Sequence, residues 1–211
     1  MERFVLQTTA SEIESIFSVK VTSESLINST FNAAPGHLLP AIFQKSGNTT
    51  IESCIWNPNM PSVELNQLIP QKNTLLKMLT FQCIIPISGF YIWKKTIHDP
   101  LPFYVRIHSE NILGIPGYIS SNGTSRLKFT VFTRNANVLL KPLDNIMPCI
   151  LNTNHIASWL QNDAYHIASE GFRTNDFIPD MTVYRVPHLV NDLANNNSNL
   201  IQPIPKIKEF E

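Results

Sequence analysis

Apolar positions recur along this chain with two periods, and the change from one to the other organises it. Ile13, Ile16 and Phe17 fall on one helical face, and Ser11 followed three positions later by Glu14 forms a capping-box pattern. That spacing predicts a short amphipathic helix over residues 11–17. Pro35, Gly36 and Pro40 interrupt regular structure, so a loop over 31–40 is expected to feed an apolar strand over 38–43. From Phe81 onward the period shortens. Cys83-Ile84-Ile85 and the runs 89–93, 103–107 and 112–119 are short blocks of β-formers separated by Pro, Gly and Asp, which predicts successive antiparallel strands. Asn122-Gly123 suits a tight hairpin turn, and after it Leu127, Phe129 and Val131 alternate with Lys128, Thr130 and Phe132. Residues 126–133 are therefore expected to pair back on the strand ending near Ile119.

Thr153 or Asn154 is placed to cap a helix that carries Ile156, Trp159 and Leu160 on one face. The tail from about residue 192, rich in Asn and Pro, reads as extended and held by contacts. No internal repeat is visible. Strands followed by flanking helices read as an α+β fold, with 1–211 as a single domain.

Composition narrows the function classes. Charged residues are only 15% of the chain, yet no apolar run approaches a bilayer-spanning length, so a soluble protein with no membrane partner is expected. Met1-Glu2-Arg3-Phe4-Val5-Leu6 lacks the pattern of a secretory signal. Cys54, Cys83 and Cys149 are odd in number and far apart, without a C-x-x-C pair. A reducing, cytoplasmic setting follows as the expectation. Net charge is zero, so nucleic-acid binding would need a local basic patch, and Lys94-Lys95 alone reads more simply as solvated surface. None of the six histidines has a partner at a metal-ligand spacing, and no G-x-S-x-G frames a serine. No metal, no cofactor and no hydrolase triad are expected.

Several blocks, in order, carry a family resemblance: Arg3-Phe4, Phe31-Asn32-Ala33-Ala34-Pro35, Trp56, the run from Cys83 to Lys94 reading CIIPISGFYIWK, Thr133-Arg134-Asn135-Ala136-Asn137, Met147-Pro148 and Val190-Asn191. Together they resemble the SOS-response-associated peptidase (SRAP) family, whose pattern in the central block is RCLIPADGFYEWK. The resemblance covers nearly the whole chain. It implies one α+β domain with a central, antiparallel, partly closed β-structure, flanking helices and a groove for single-stranded DNA. It also implies a DNA-damage role in which an N-terminal cysteine traps the open aldehyde of an abasic site, assisted by a Glu, an Asn and a His. Self-processing peptidase activity belongs to the same expectation.

Residue by residue, that chemistry is missing. Glu2 stands where the family has its cysteine, and a carboxylate cannot close a sulfur–nitrogen ring on an aldehyde. Ile92 stands at the glutamate and offers no ionisable group for proton transfer. Asp144 stands at the histidine, with Ile146 at a phosphate-binding arginine. Ser62 stands at the asparagine, with Val63-Glu64 around a second arginine. A pseudoenzyme is the expectation, with Glu2, Ser62, Ile92 and Asp144 as degenerate catalytic positions. Arg3, Asn32, Trp56, Thr133 and Asn135 match positions lining the DNA groove, where arginine holds phosphate and an aromatic ring stacks a base. Trp56 reads equally as core. The expected partner is single-stranded or damaged DNA, bound at most weakly. The rivals are a protein-interaction scaffold whose partner the sequence does not name, and an enzyme of altered chemistry built on Glu2, Glu64 and Asp144.

Overall fold

The computed structural model describes residues 3–121, 126–161, 163–170 and 180–205. Among these, the described strands fall into two sheets. The first is a barrel built from β3 (Leu38–Lys45), β4 (Asn48–Trp56), β6 (Gln82–Ile87), β9 (Leu113–Ser120) and β10 (Lys128–Asn135), with short β5 (Ser62–Glu64) and β11 (Ile146–Pro148) alongside β10. The second sheet runs β12-β8-β7-β1-β2, from Met181–Arg185, Leu101–Ile107, Gly89–Lys94, Phe4–Leu6 and Thr30–Ala33 respectively.

β3 and β4 pair from Leu38↔Ile55 to Lys45↔Asn48 around the two-residue turn Ser46-Gly47, whose φ angles of 52° and 81° are both positive. Such a turn matches the strand twist of a tight hairpin. β6 pairs antiparallel with β3 and β9, and β9 pairs with β10 from Val131↔Gly117 to Lys128↔Ser120. The expected β9–β10 hairpin therefore forms, although its turn at Asn122-Gly123 lies outside the described residues. Because β10 also lies beside β4, the order β10-β4-β3-β6-β9 returns to β10 and the sheet closes. Closure brings backbones very close at Gly117, where a Cβ would collide with the Thr130 carbonyl oxygen. β10 runs parallel to β4 and to β5, the exceptions to an otherwise antiparallel arrangement.

Period-two alternation distributes the apolar side chains over three clusters. Phe4, Leu6, Phe90, Ile92 and Val105 of the second sheet join Cys54, Trp56, Cys83, Ile85, Phe129 and Val131 of the barrel in one shared core. The opposite barrel face is covered by helices: Ile42, Ile84 and Phe132 pack with residues of α1 (Ala10–Phe17), α2 (Leu65–Leu68), α3 (Lys72–Leu79), α4 (Ile156–Gln161) and α5 (Ala164–Glu170). Trp159 secures α4 by donating its indole N–H to the Cys83 carbonyl at 3.0 Å. Val5, Tyr91 and Tyr104, on the far face of the second sheet, meet Val186, Val190 and Leu200 of the C-terminal segment.

Two expected caps move. Thr9, not Ser11, begins α1: its hydroxyl accepts from the Glu12 N–H while the Glu12 carboxylate accepts from the Thr9 N–H. Glu14 instead accepts from the Val21 N–H beyond the helix. Asn152, not Thr153 or Asn154, caps the turn of 3-10 helix at Thr153–His155 that leads into α4, and Ile156, Trp159 and Leu160 are buried as expected. The loop expected over 31–40 also yields, since Phe31, Asn32 and Ala33 belong to β2. Beyond residue 191 the chain is not uniformly extended, forming a 3-10 turn at Ser198–Ile201.

Candidate functional site

β1 carries Phe4, Val5 and Leu6 into the second sheet, paired with β2 at Phe4↔Ala33 and with β7 at Phe4↔Phe90. Val5 and its neighbours Phe4 and Leu6 are fully buried. The Phe4 ring lies on Trp56 with centroids 4.4 Å apart and planes 8° from parallel, and Trp56 stacks in turn on Phe129 at 6.0 Å. Trp56 is 0% exposed, and its indole N–H is satisfied by the Pro61 carbonyl at 2.8 Å. It is a core residue. The expectation that Trp56 stacks a base is corrected here, because no face of its ring is open to one.

Arg3 precedes β1 and is likewise engaged inside the protein. Its guanidinium donates to the Asn32 side-chain oxygen at 2.7 Å and to the Val190 carbonyl at 3.1 Å, and lies 5.9 Å from the Trp93 ring centroid. Asn32, 1% exposed, shares its amide N–H groups among the carbonyls of Val190, Asp192 and Asn195. Trp93 donates to the Asn191 side chain at 2.8 Å, and Asn196 accepts from the Phe31 N–H at 2.6 Å. Arg3 and Asn32 thus form a polar knot that ties residues 188–196 over the N-terminal strand. The sequence marked the Asn-rich tail as held by contacts without naming them; the buried Asn32 facing it supplies them.

β10 assembles the other candidate positions at one end of the barrel. Ser62 of β5 lies opposite Val131, Glu64 opposite Thr133, and β11 pairs along the other side at Thr133↔Pro148 and Asn135↔Ile146. Ser62 is half-buried, Thr133 is buried and Asn135 is exposed. Asp144, half-buried just ahead of β11, turns its carboxylate back to accept from the Ile146 N–H at 3.3 Å. Glu64 and Asp144 therefore lie on opposite sides of β10. Glu2, the third carboxylate of that set, lies outside the described residues.

Ile92 is 0% exposed on β7, in the shared apolar core with Phe4, Leu140 and Met147. An ionised carboxylate at such a position would need a partner to offset its desolvation. No thiol is poised for attack either. Burial pushes the Cys54 thiol up to about 12, helped by the nearby Glu52 charge; burial likewise raises Cys83 and Cys149, the latter partly offset by Arg134. Thiols held neutral in this way are poor nucleophiles at neutral pH. Among the described residues no group of three His, Cys, Asp or Glu side chains could hold a metal ion, and no helix is long and apolar enough to cross a membrane.

Comparison with known proteins gives this geometry a context. Residues 2–193 match the model of the family described as SOS response associated peptidase (SRAP). The abasic site processing protein YoqW of Bacillus subtilis is 24% identical, with 95% of this chain and 98% of that protein covered. Its fellow YoaM, also an abasic site processing protein of Bacillus subtilis, is 23% identical over 82% of this chain and 84% of its own length. A crystal structure of a protein from Bacteroides thetaiotaomicron superposes with a TM-score of 0.80 at 14% identity, covering 97% of this chain and 100% of that one. A phage-related protein from Bordetella bronchiseptica superposes at 0.70 with 15% identity, over 89% and 95% of the two chains. At those identities the structural likeness establishes the fold alone.

Proposed function

Because the chain belongs to the SRAP family, we propose that it is a member without the family's thiol chemistry, keeping at most weak, reversible binding to single-stranded or damaged DNA. The name shared by its Bacillus relatives, abasic site processing, supports DNA as the class of partner. The observation that carries the pseudoenzyme reading is Ile92: the position that the resemblance assigns to a proton-transferring glutamate is a fully buried aliphatic in a dry core. The three cysteines are all buried, and Glu2 rather than a cysteine precedes Arg3.

Binding should be weak for a physical reason. Phosphate contacts from Lys and Arg supply most non-specific affinity. Arg3 already donates to Asn32 and Val190, and Ile146 and Val63 stand at positions where the resemblance has arginines. With Trp56 in the core, Asn135 is the exposed member of the DNA-facing set. The same facts favour the scaffold reading as the alternative, since the polar atoms that would greet phosphate are occupied within the fold.

A fluorescence anisotropy titration with labelled single-stranded oligonucleotides, intact and abasic, tests the proposal. Expected are dissociation constants in the micromolar range or weaker for both, with a shallow salt dependence. Nanomolar affinity with a steep salt dependence would contradict weak binding, and no binding at low salt would put the scaffold reading first.

A further inference from the structure

At the Lys128 end of β10 the barrel mouth opens into a cleft of about 640 Å³ between the β3–β4 hairpin, the end of α3 with the turn that follows it, and β9. Its walls include Phe43, Met78, Phe81 and Tyr118, and its cations are Lys45 and Lys77. Asn135, at the opposite end of β10, is roughly 23 Å away by the rise of an extended strand. The cleft is therefore separate from Asn135, the exposed member of the set invoked for DNA.

We propose that this mouth binds a small amphiphilic organic anion, an apolar body ending in a carboxylate, sulfonate or phosphate. Its volume lies in the range of small-molecule sites, and barrel mouths are a common place for them. Phe81 is 64% exposed at its rim, a large ring left uncovered beside the buried Phe43 and Ile119. The half-buried Met78 supplies a flexible thioether that adapts to an apolar guest. The sign of the head group follows from the described lining residues, which include two lysines and no carboxylate. Glu52 lies 2.5 Å from the Lys45 ammonium and offsets it. Lys77, exposed in the last turn of α3, is then the cation that receives the head group. Thr80, Gln82 and Ser120 lie along the same rim as hydrogen-bonding neighbours.

The test is a fluorescence titration of the full chain with anilinonaphthalene sulfonate, itself an amphiphilic anion, followed by displacement with decanoate and with decyl phosphate. Expected is saturable binding of one dye per chain that both competitors reverse. Lys77→Glu should weaken dye and competitors about tenfold, Lys77→Arg should restore binding, and Phe81→Ser should weaken it roughly fivefold. Both side chains are exposed, so thermal melting of the variants should match the parent and exclude dye uptake by a loosened fold. Three results would each overturn the proposal: no saturable signal up to about 1 mM dye; variants that bind like the parent; or a dye displaced only by oligothymidylate, which would assign the mouth to nucleic acid. Sedimentation showing a dimer that Phe81→Ser dissociates would assign it to a second copy and also overturn it.

Discussion

Trp56→Ala would remove a ring stacked between Phe4 and Phe129 in a site with no exposure. Truncating a buried Trp costs about 3–5 kcal/mol. The expected outcome is a large fall in the urea midpoint, with any change in oligonucleotide binding following the loss of folded protein. Unchanged stability together with selective loss of DNA binding would return Trp56 to the groove. The sequence left this residue open between core and base-stacking because Trp suits both a dry pocket and a wet platform. What decided it was the pairing of β10 beside β4, a long-range contact with no local signal. That Ile92 has no protonation states to offer was legible from its type alone; its place in the shared core was not. Arg3 was legible only as a cation; the partners that occupy it sit on β2 and on residue 190, remote in the chain.

At the scale of elements, α1 shows how local chemistry and its placement separate. The amphipathic face of Ile13 and Phe17 was readable, but two capping boxes compete in Thr9-Ala10-Ser11-Glu12-Ile13-Glu14, and the structure uses the earlier. Thr9→Ala should therefore destabilise the protein by about 1 kcal/mol in urea unfolding, whereas Ser11→Ala should change it little. The reverse order would restore the Ser11 box. The Glu12 carboxylate is held below its usual range by the Thr9 backbone N–H and the Thr8 hydroxyl. A lowered folded value means that its stabilisation is fully present above about pH 4.3 and is lost as pH falls through the folded value. Glu12→Gln should flatten that part of the stability profile. The β9–β10 hairpin was readable because the Asn-Gly turn signal precedes a strand whose Phe129 and Val131 share one face, and a one-residue slip would turn both away from the core. β4 and β12 were not: Asn48–Trp56 mixes polar and apolar residues along a barrel wall, and β12 is defined by pairing with β8.

The described residues form two sheets sharing one core, with Arg3 and Asn32 clasped to residues 188–196 beside the second. That clasp depends on Asn32, whose amide serves three carbonyls of the C-terminal segment while its oxygen receives Arg3. Asn32→Ala would leave those buried groups short of partners, at about 1–3 kcal/mol. Hydrogen exchange should then accelerate across residues 188–196 before the barrel strands, and uniform acceleration would show the clasp to be inseparable from the core. The α+β class was legible because local periods and turns carry it, and the partly closed β-structure followed from the family resemblance; the partners that make the clasp were not legible, because they lie far apart in sequence. The central claim is that this scaffold no longer traps abasic DNA, and intact-protein mass spectrometry after incubation with an abasic single-stranded oligonucleotide tests it most directly. The account expects the unmodified mass alone after denaturation. A persistent species heavier by the mass of the oligonucleotide would contradict it.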